Sequence, residues 1–96
     1  MPVGMWPITE LAFSPDRRIL YVGGFPATGE VAASSGILRA WDLSKAVQLG
    51  EIKFPYPVVA LALNEDGNTL AVAAVALHVL DVSLENDRIM FKERFS

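Results

Sequence analysis

Short apolar runs alternate with polar punctuation along the whole chain, at intervals too close for helices. Ile8 to Phe13 is the first run, closed by Ser14-Pro15-Asp16-Arg17. Ile19 to Gly23 is the second, β-branched or aromatic at Ile19, Tyr21 and Val22, and Gly23-Gly24 ends it. Runs of this length and residue type between turn residues predict strands. The tetrapeptide between them has the chemistry of a turn: Pro15 presets φ, Ser14 and Asp16 can bond nearby backbone, and Arg17 occupies a place where glycine is common. Phe25 to Ser35 keeps neither strand nor helix period and predicts a loop. Gly36 to Asp42 resumes strand character and Ser44-Lys45 turns the chain. Val47 to Phe54, with Gln48, Glu51 and Lys53 interleaved, predicts a half-exposed outer strand. Pro55-Tyr56-Pro57 then denies the ladder two backbone donors.

The pattern runs a second time. Val58 to Leu63 predicts a strand, Asn64-Glu65-Asp66-Gly67 a turn, Thr69 to Ala74 and Ala76 to Asp81 two strands, Ser83 to Asp87 a turn, and Arg88 to Phe95 a charged outer strand. Leu38-Arg39-Ala40-Trp41-Asp42-Leu43 is echoed at Leu77-His78-Val79-Leu80-Asp81-Val82. Ala12 recurs as Ala62, fifty positions on, and Asp42 as Asp81, thirty-nine on. The excess of eleven matches the loop at 25–35. The chain therefore divides into a leading segment, 1–7, a repeat at 8–57 carrying the insertion 25–35, and a repeat at 58–96.

A unit of about 40 residues with four short strands fits a β-propeller blade. Ala12-Phe13-Ser14-Pro15-Asp16, then Leu20-Tyr21-Val22-Gly23, then Leu38-Arg39-Ala40-Trp41-Asp42-Leu43, in that order, resembles a WD40 repeat from Ile8 onward. The Ser-Pro-Asp turn followed by Leu20-Tyr21-Val22 is also similar to the YVTN type of propeller repeat. The resemblance implies an all-β fold of two four-stranded antiparallel blades in an incomplete ring. Asp16, Trp41, Asp42, Asp66 and Asp81 would be its repeat-structural residues. An all-β sandwich is the alternative architecture. WD40 repeats near the consensus carry a Gly-His pair and a second-strand Ser or Thr that bond the aspartate and tryptophan. This chain has Tyr21 and Val22, or Ala71, Val72 and Ala73, at those strand positions, and Leu80 in place of the second tryptophan. Its blades should rest on apolar packing more than on buried hydrogen bonds.

Two blades cannot close a ring, since propellers use about 4 to 8. One face of a four-stranded sheet, with strands about 4.8 Å apart and about 17 Å long, covers roughly 330 Å². At about 25 cal/mol per Å² an open apolar face forgoes roughly 8 kcal/mol, against a domain stability of about 5 to 15 kcal/mol. Composition agrees. The 96 residues are 52% hydrophobic, and a domain of that size buries only about 60 to 65% of its unfolded surface. Such a chain is expected to be covered by more protein: further blades, a partner chain whose ring it completes, or a second copy of itself.

The charge of -3 and the lack of a basic stripe argue against nucleic acid as a partner. With no cysteine there is no disulfide, thiolate nucleophile or cysteine metal site. No run approaches the roughly 18 to 20 apolar residues that span a bilayer, and Met1 to Pro7 lacks the features of a secretory signal. The expected location is cytoplasmic or nuclear, away from membranes.

No catalytic, cofactor-binding or metal-ligating residue is assigned, and the expectation is a protein that is not an enzyme. His78, Asp81 and Ser83 lie close in sequence, but the odd separation of His78 and Asp81 puts them on opposite faces of a strand. One histidine without cysteine makes a poor zinc site, and Asn64-Glu65-Asp66-Gly67 lacks the further ligands of a calcium loop. In a meander, the joint between strands two and three and the joint between units emerge at one edge. That edge collects Phe25, Pro26, Glu30, Pro55, Tyr56 and Pro57 as the candidate partner-binding rim. The functional expectation is a WD-repeat-like protein–protein interaction scaffold, part of or completing a larger propeller. The alternative is a fragment of a ligand-binding or enzymatic, YVTN/lactonase-like propeller. Its channel-facing strands, Ile8 to Phe13 and Val58 to Leu63, would supply only Thr9 and Glu10 as polar side chains.

Overall fold

The computed structural model describes residues 8–24 and 36–95. Eight strands run through them, and no helix occurs among them: β1 (Ile8–Phe13), β2 (Ile19–Gly24), β3 (Gly36–Asp42), β4 (Val47–Phe54), β5 (Ala60–Leu63), β6 (Thr69–Ala74), β7 (Ala76–Glu85) and β8 (Arg88–Phe95). Each strand pairs antiparallel with its sequence neighbour, giving two four-stranded sheets, β1-β2-β3-β4 and β5-β6-β7-β8. The described residues close no ring, and the insertion at 25–35 lies outside them.

The two sheets stack face to face, β1 over β5 and β4 over β8. Period-two alternation decides what lies between them. The first sheet contributes Tyr21, Leu38, Ala40 and Phe54, the second Leu70, Val72, Leu80, Val82 and Ile89, and all belong to one buried cluster. Small residues set the spacing. A Cβ at Gly50 would lie 2.6 Å from the backbone oxygen of Ile89, so only glycine lets β4 approach β8 this closely.

The sheets repeat each other bond for bond at their first hairpins. The Ser14 amide donates to the Ile19 carbonyl at 2.9 Å and the Arg17 amide to the Ser14 carbonyl at 2.8 Å. Asn64 to Thr69 and Gly67 to Asn64 repeat these bonds, each at 3.0 Å. Arg17 (φ 61) and Gly67 (φ 77) take the same left-handed backbone conformation, so arginine does fill the glycine place of the second copy. The outer strand pairs repeat as well. A bulge between Ala40 and Trp41 sets Leu49 aside in β4, and one between Val79 and Leu80 sets Arg94 aside in β8.

Two expected boundaries move. β5 begins at Ala60 rather than Val58, because Pro55-Tyr56-Pro57 delays pairing. β7 runs through Ser83 to Glu85, where a turn was expected. Its polar residues stand on the exposed half of a continuing strand, and Ser83 pairs with Met90 and Glu85 with Arg88. The turn itself is only Asn86-Asp87, with φ 51 and 62, as a two-residue loop matched to strand twist requires.

Candidate functional site

Of the expected rim, Pro55 and Tyr56 are exposed, Tyr56 by 45%, and Pro57 is half-buried. Phe25, Pro26 and Glu30 lie outside the described residues. The same edge presents two exposed valines that the sequence argument passed over, Val59 and Val75. Val75 is the single residue between β6 and β7, held at φ 71, a conformation that β-branched residues rarely adopt. It stands inside the apolar run Leu70 to Leu77, so no residue type there marks the corner.

The opposite edge carries the hairpins. Here the sheets part into a groove of two adjoining hollows, about 260 Å³ and 180 Å³, both bordered by Asp16, Ile19 and Leu84. The larger also meets Tyr21, Asp66, Val82 and Ile89. The smaller meets Arg18, Asp42, Lys45 and Asp87. Sequence reading missed this groove because its residues come from four separate turns and only the stacking of the sheets unites them.

The repeat-structural residues divide by role. Asp16 Oδ1 accepts the Ser14 hydroxyl at 2.7 Å and the Arg18 amide at 3.0 Å. The hydroxyl bond first and the amide bond next hold its carboxyl below the usual aspartate range. Asp42 does the same at the β3–β4 turn, accepting the Ser44 hydroxyl at 2.7 Å and the amides of Ser44 and Lys45. Its carboxyl is likewise lowered, chiefly by Ser44. Asp81 pairs with Arg94, which also donates to the Thr69 hydroxyl, on the outward side of the second sheet. Asp66 is not used to close its turn. Asn64 replaces both Ser14 and Asp16 there, its side-chain oxygen accepting the amides of Asn68 and Thr69 at 3.0 Å. Trp41 is half-buried in a smaller cluster with Leu20, Val22, Ile37 and Leu43, and its Nε1 is buried without a hydrogen-bond partner.

His78, Asp81 and Ser83 do not converge. His78 lies between the sheets, its Nδ1 2.7 Å from Glu93 Oε2 and its ring 4.8 Å from that of Phe54. Asp81 is held by Arg94, and Ser83 donates to Glu85. Among the described residues no three metal-ligating side chains cluster, and no helix is long and apolar enough to cross a membrane.

Compared with known proteins, no family model matches the chain and no curated protein is significantly similar to it.

Proposed function

We propose that the chain is a WD-repeat-like protein–protein interaction scaffold whose two sheets act as blades and accept further β-structure on the outward face of the second. One observation carries this reading. Leu38 and Leu77 occupy corresponding places in β3 and β7, pairing with Gly23 and Ala73 of their neighbours. Leu38 is 0% exposed beneath the second sheet, while Leu77 is 53% exposed. The alanines around Leu77 are small. Ala60 and Ala62 are exposed, and Ala71 and Ala73 are half-covered. A face of small side chains suits a sheet that brings large ones, as β5–β8 brings Leu70, Leu80 and Ile89 to Ala40 and Gly50. The partner is therefore another blade-like sheet, and the resemblance to propeller repeats agrees with it.

Light scattering on the chain tests the reading. Association above the 10.4 kDa monomer is expected, and Ala71→Arg in the middle of the open face should abolish it. A monodisperse monomer with a cooperative melt would overturn the proposal.

A further inference from the structure

The outward face of the second sheet is open, but it is not uniform. Its β5–β6 half is small: Ala60 and Ala62 are exposed, and Ala71 and Ala73 are half-covered. Its β7 side is large: Leu77 is 53% exposed and Val79 is half-buried. Register joins the two halves row by row, Leu77 opposite Ala73 and Val79 opposite Ala71. A half-turn about an axis running along the strands, between β6 and β7, exchanges the members of each pair. A second copy rotated in this way sets its Leu77 over Ala73 and its Val79 over Ala71, large side chain on small in both rows.

The second and independent observation is the outward face of the first sheet. Leu20, Val22 and Ile37 there are at most 9% exposed in the single chain, so the middle of that face has little apolar surface left to offer a copy. Copies that stacked head to tail, first sheet on second, would need both faces open. Charge favours the same half-turn. Lys92 is exposed on the outward side of β8, opposite Asp81, and the rotation carries it toward the β5–β6 turn of the other copy, where Glu65 and Asp66 are exposed. A two-fold axis across the strands would instead lay β8 over β8 and alanine over alanine.

We propose that the chain forms a closed two-fold dimer, second sheet against second sheet, and not an open-ended stack. The inference rests on the reading that this outward face takes up a further sheet, and it names that sheet as the same one in a second copy. Strands of 4 to 10 residues give the face roughly 450 Å² in projection, which puts the pair at the small end of specific interfaces. The dimer is therefore reversible, with a dissociation constant on the order of 10 μM.

Sedimentation equilibrium of the whole chain, from about 1 to about 500 μM, tests it. The mass should rise from 10.4 kDa to twice that value and stop there. Leu77→Ala, at the surface of the single chain, should weaken association about tenfold, since each dimer loses two leucines from its interface. Lys92→Glu and Glu65→Lys should each weaken it about fivefold, and the two together should restore it. Leu11→Arg, opposite Val22 on the outward side of the first sheet, should change nothing. A monomer at every concentration would overturn both this inference and the reading it rests on. Mass that grows past the dimer, loss of association in Leu11→Arg, or a double charge variant no tighter than either single one would overturn the two-fold dimer alone.

Discussion

The first and second sheets share strand order, hairpin bonds and bulge position, yet their outward faces differ. In the first sheet, Leu20, Val22 and Ile37 are at most 9% exposed, with Trp41 and Leu43 packed against them. In the second, the outward positions carry Ala60, Ala62, Ala71 and Ala73, exposed or half-covered, with Leu77 and Met90 half in solvent. The repeated bonds are backbone bonds and turn caps, which hold the shape of each sheet without specifying what covers it. Coverage follows side-chain size instead. Large residues line the face of the second sheet that looks toward the first, and they meet Ala12, Gly23, Ala40 and Gly50. The alanine face of the second sheet repeats that receiving surface.

The comparison breaks most visibly at Leu80 and Trp41, which occupy matched places opposite Leu70 and Leu20. Leu80 is fully buried between the sheets, so Leu80→Ala should cost about 3 kcal/mol, transfer energy and cavity together. Trp41 is half-buried and its ring nitrogen gains no bond, so Trp41→Ala should cost less, about 2 kcal/mol. Urea midpoints of the two variants decide the order. A larger loss at Trp41 would move the main core to the outward side of the first sheet. Next comes Gly50→Ala. The added carbon would press on the Ile89 backbone, which cannot rotate away as a side chain can. A loss of about 2 kcal/mol is expected, and an unchanged midpoint would show that the sheets do not approach as closely as described.

Much of this was legible in the sequence because it depends on local chemistry. The eight strands follow from short apolar runs closed by turn residues, and the matched offsets of Asp42 and Asp81 put both bulges at one place in the repeat. Arg17 could be read as a substitute for glycine since the turn's bonds are made within five residues. The length of β7 was not legible, because Ser83 and Glu85 look like turn residues until pairing with β8 shows them as the exposed half of a strand. Nor was the groove, since nothing local announces that Asp16, Asp66 and Leu84 will meet. The burial of His78 was not legible either. Its bond to Glu93 crosses to β8, fifteen residues away.

Smaller changes sharpen the match between the hairpins. Gly67→Ala should destabilise by about 1 kcal/mol through its positive φ alone, and slightly more because the new carbon would lie 2.7 Å from the Pro15 ring. Arg17→Gly should move the other way. Relief of the left-handed backbone is worth about 1 kcal/mol, offset by about 0.5 kcal/mol for the guanidinium that sits 6.0 Å above the Phe13 ring. A net gain of about 0.5 kcal/mol, read as a higher melting temperature, is expected. A lower one would mean that the two turns are not equivalent in energy.

The finest distinction is one of acid sensitivity. The first hairpin is closed through a carboxylate: Asp16 accepts from Arg18 directly and holds the Ser14 hydroxyl, whose oxygen accepts the Ile19 amide at 3.0 Å. The second is closed through the Asn64 amide oxygen, which does not titrate. Because the Asp16 carboxyl titrates lower in the folded chain than in the unfolded one, its contribution is complete above the unfolded value near pH 4 and is lost as pH falls through the lower folded value. Amide exchange should therefore show Arg18 and Ile19 losing protection below about pH 4 while Asn68 and Thr69 keep theirs. Asp16→Asn should make the first hairpin as indifferent to acid as the second. If both hairpins lose protection together in the unaltered chain, global unfolding governs the acid response, and the choice of Asp16 in one turn and Asn64 in the other has no consequence for stability.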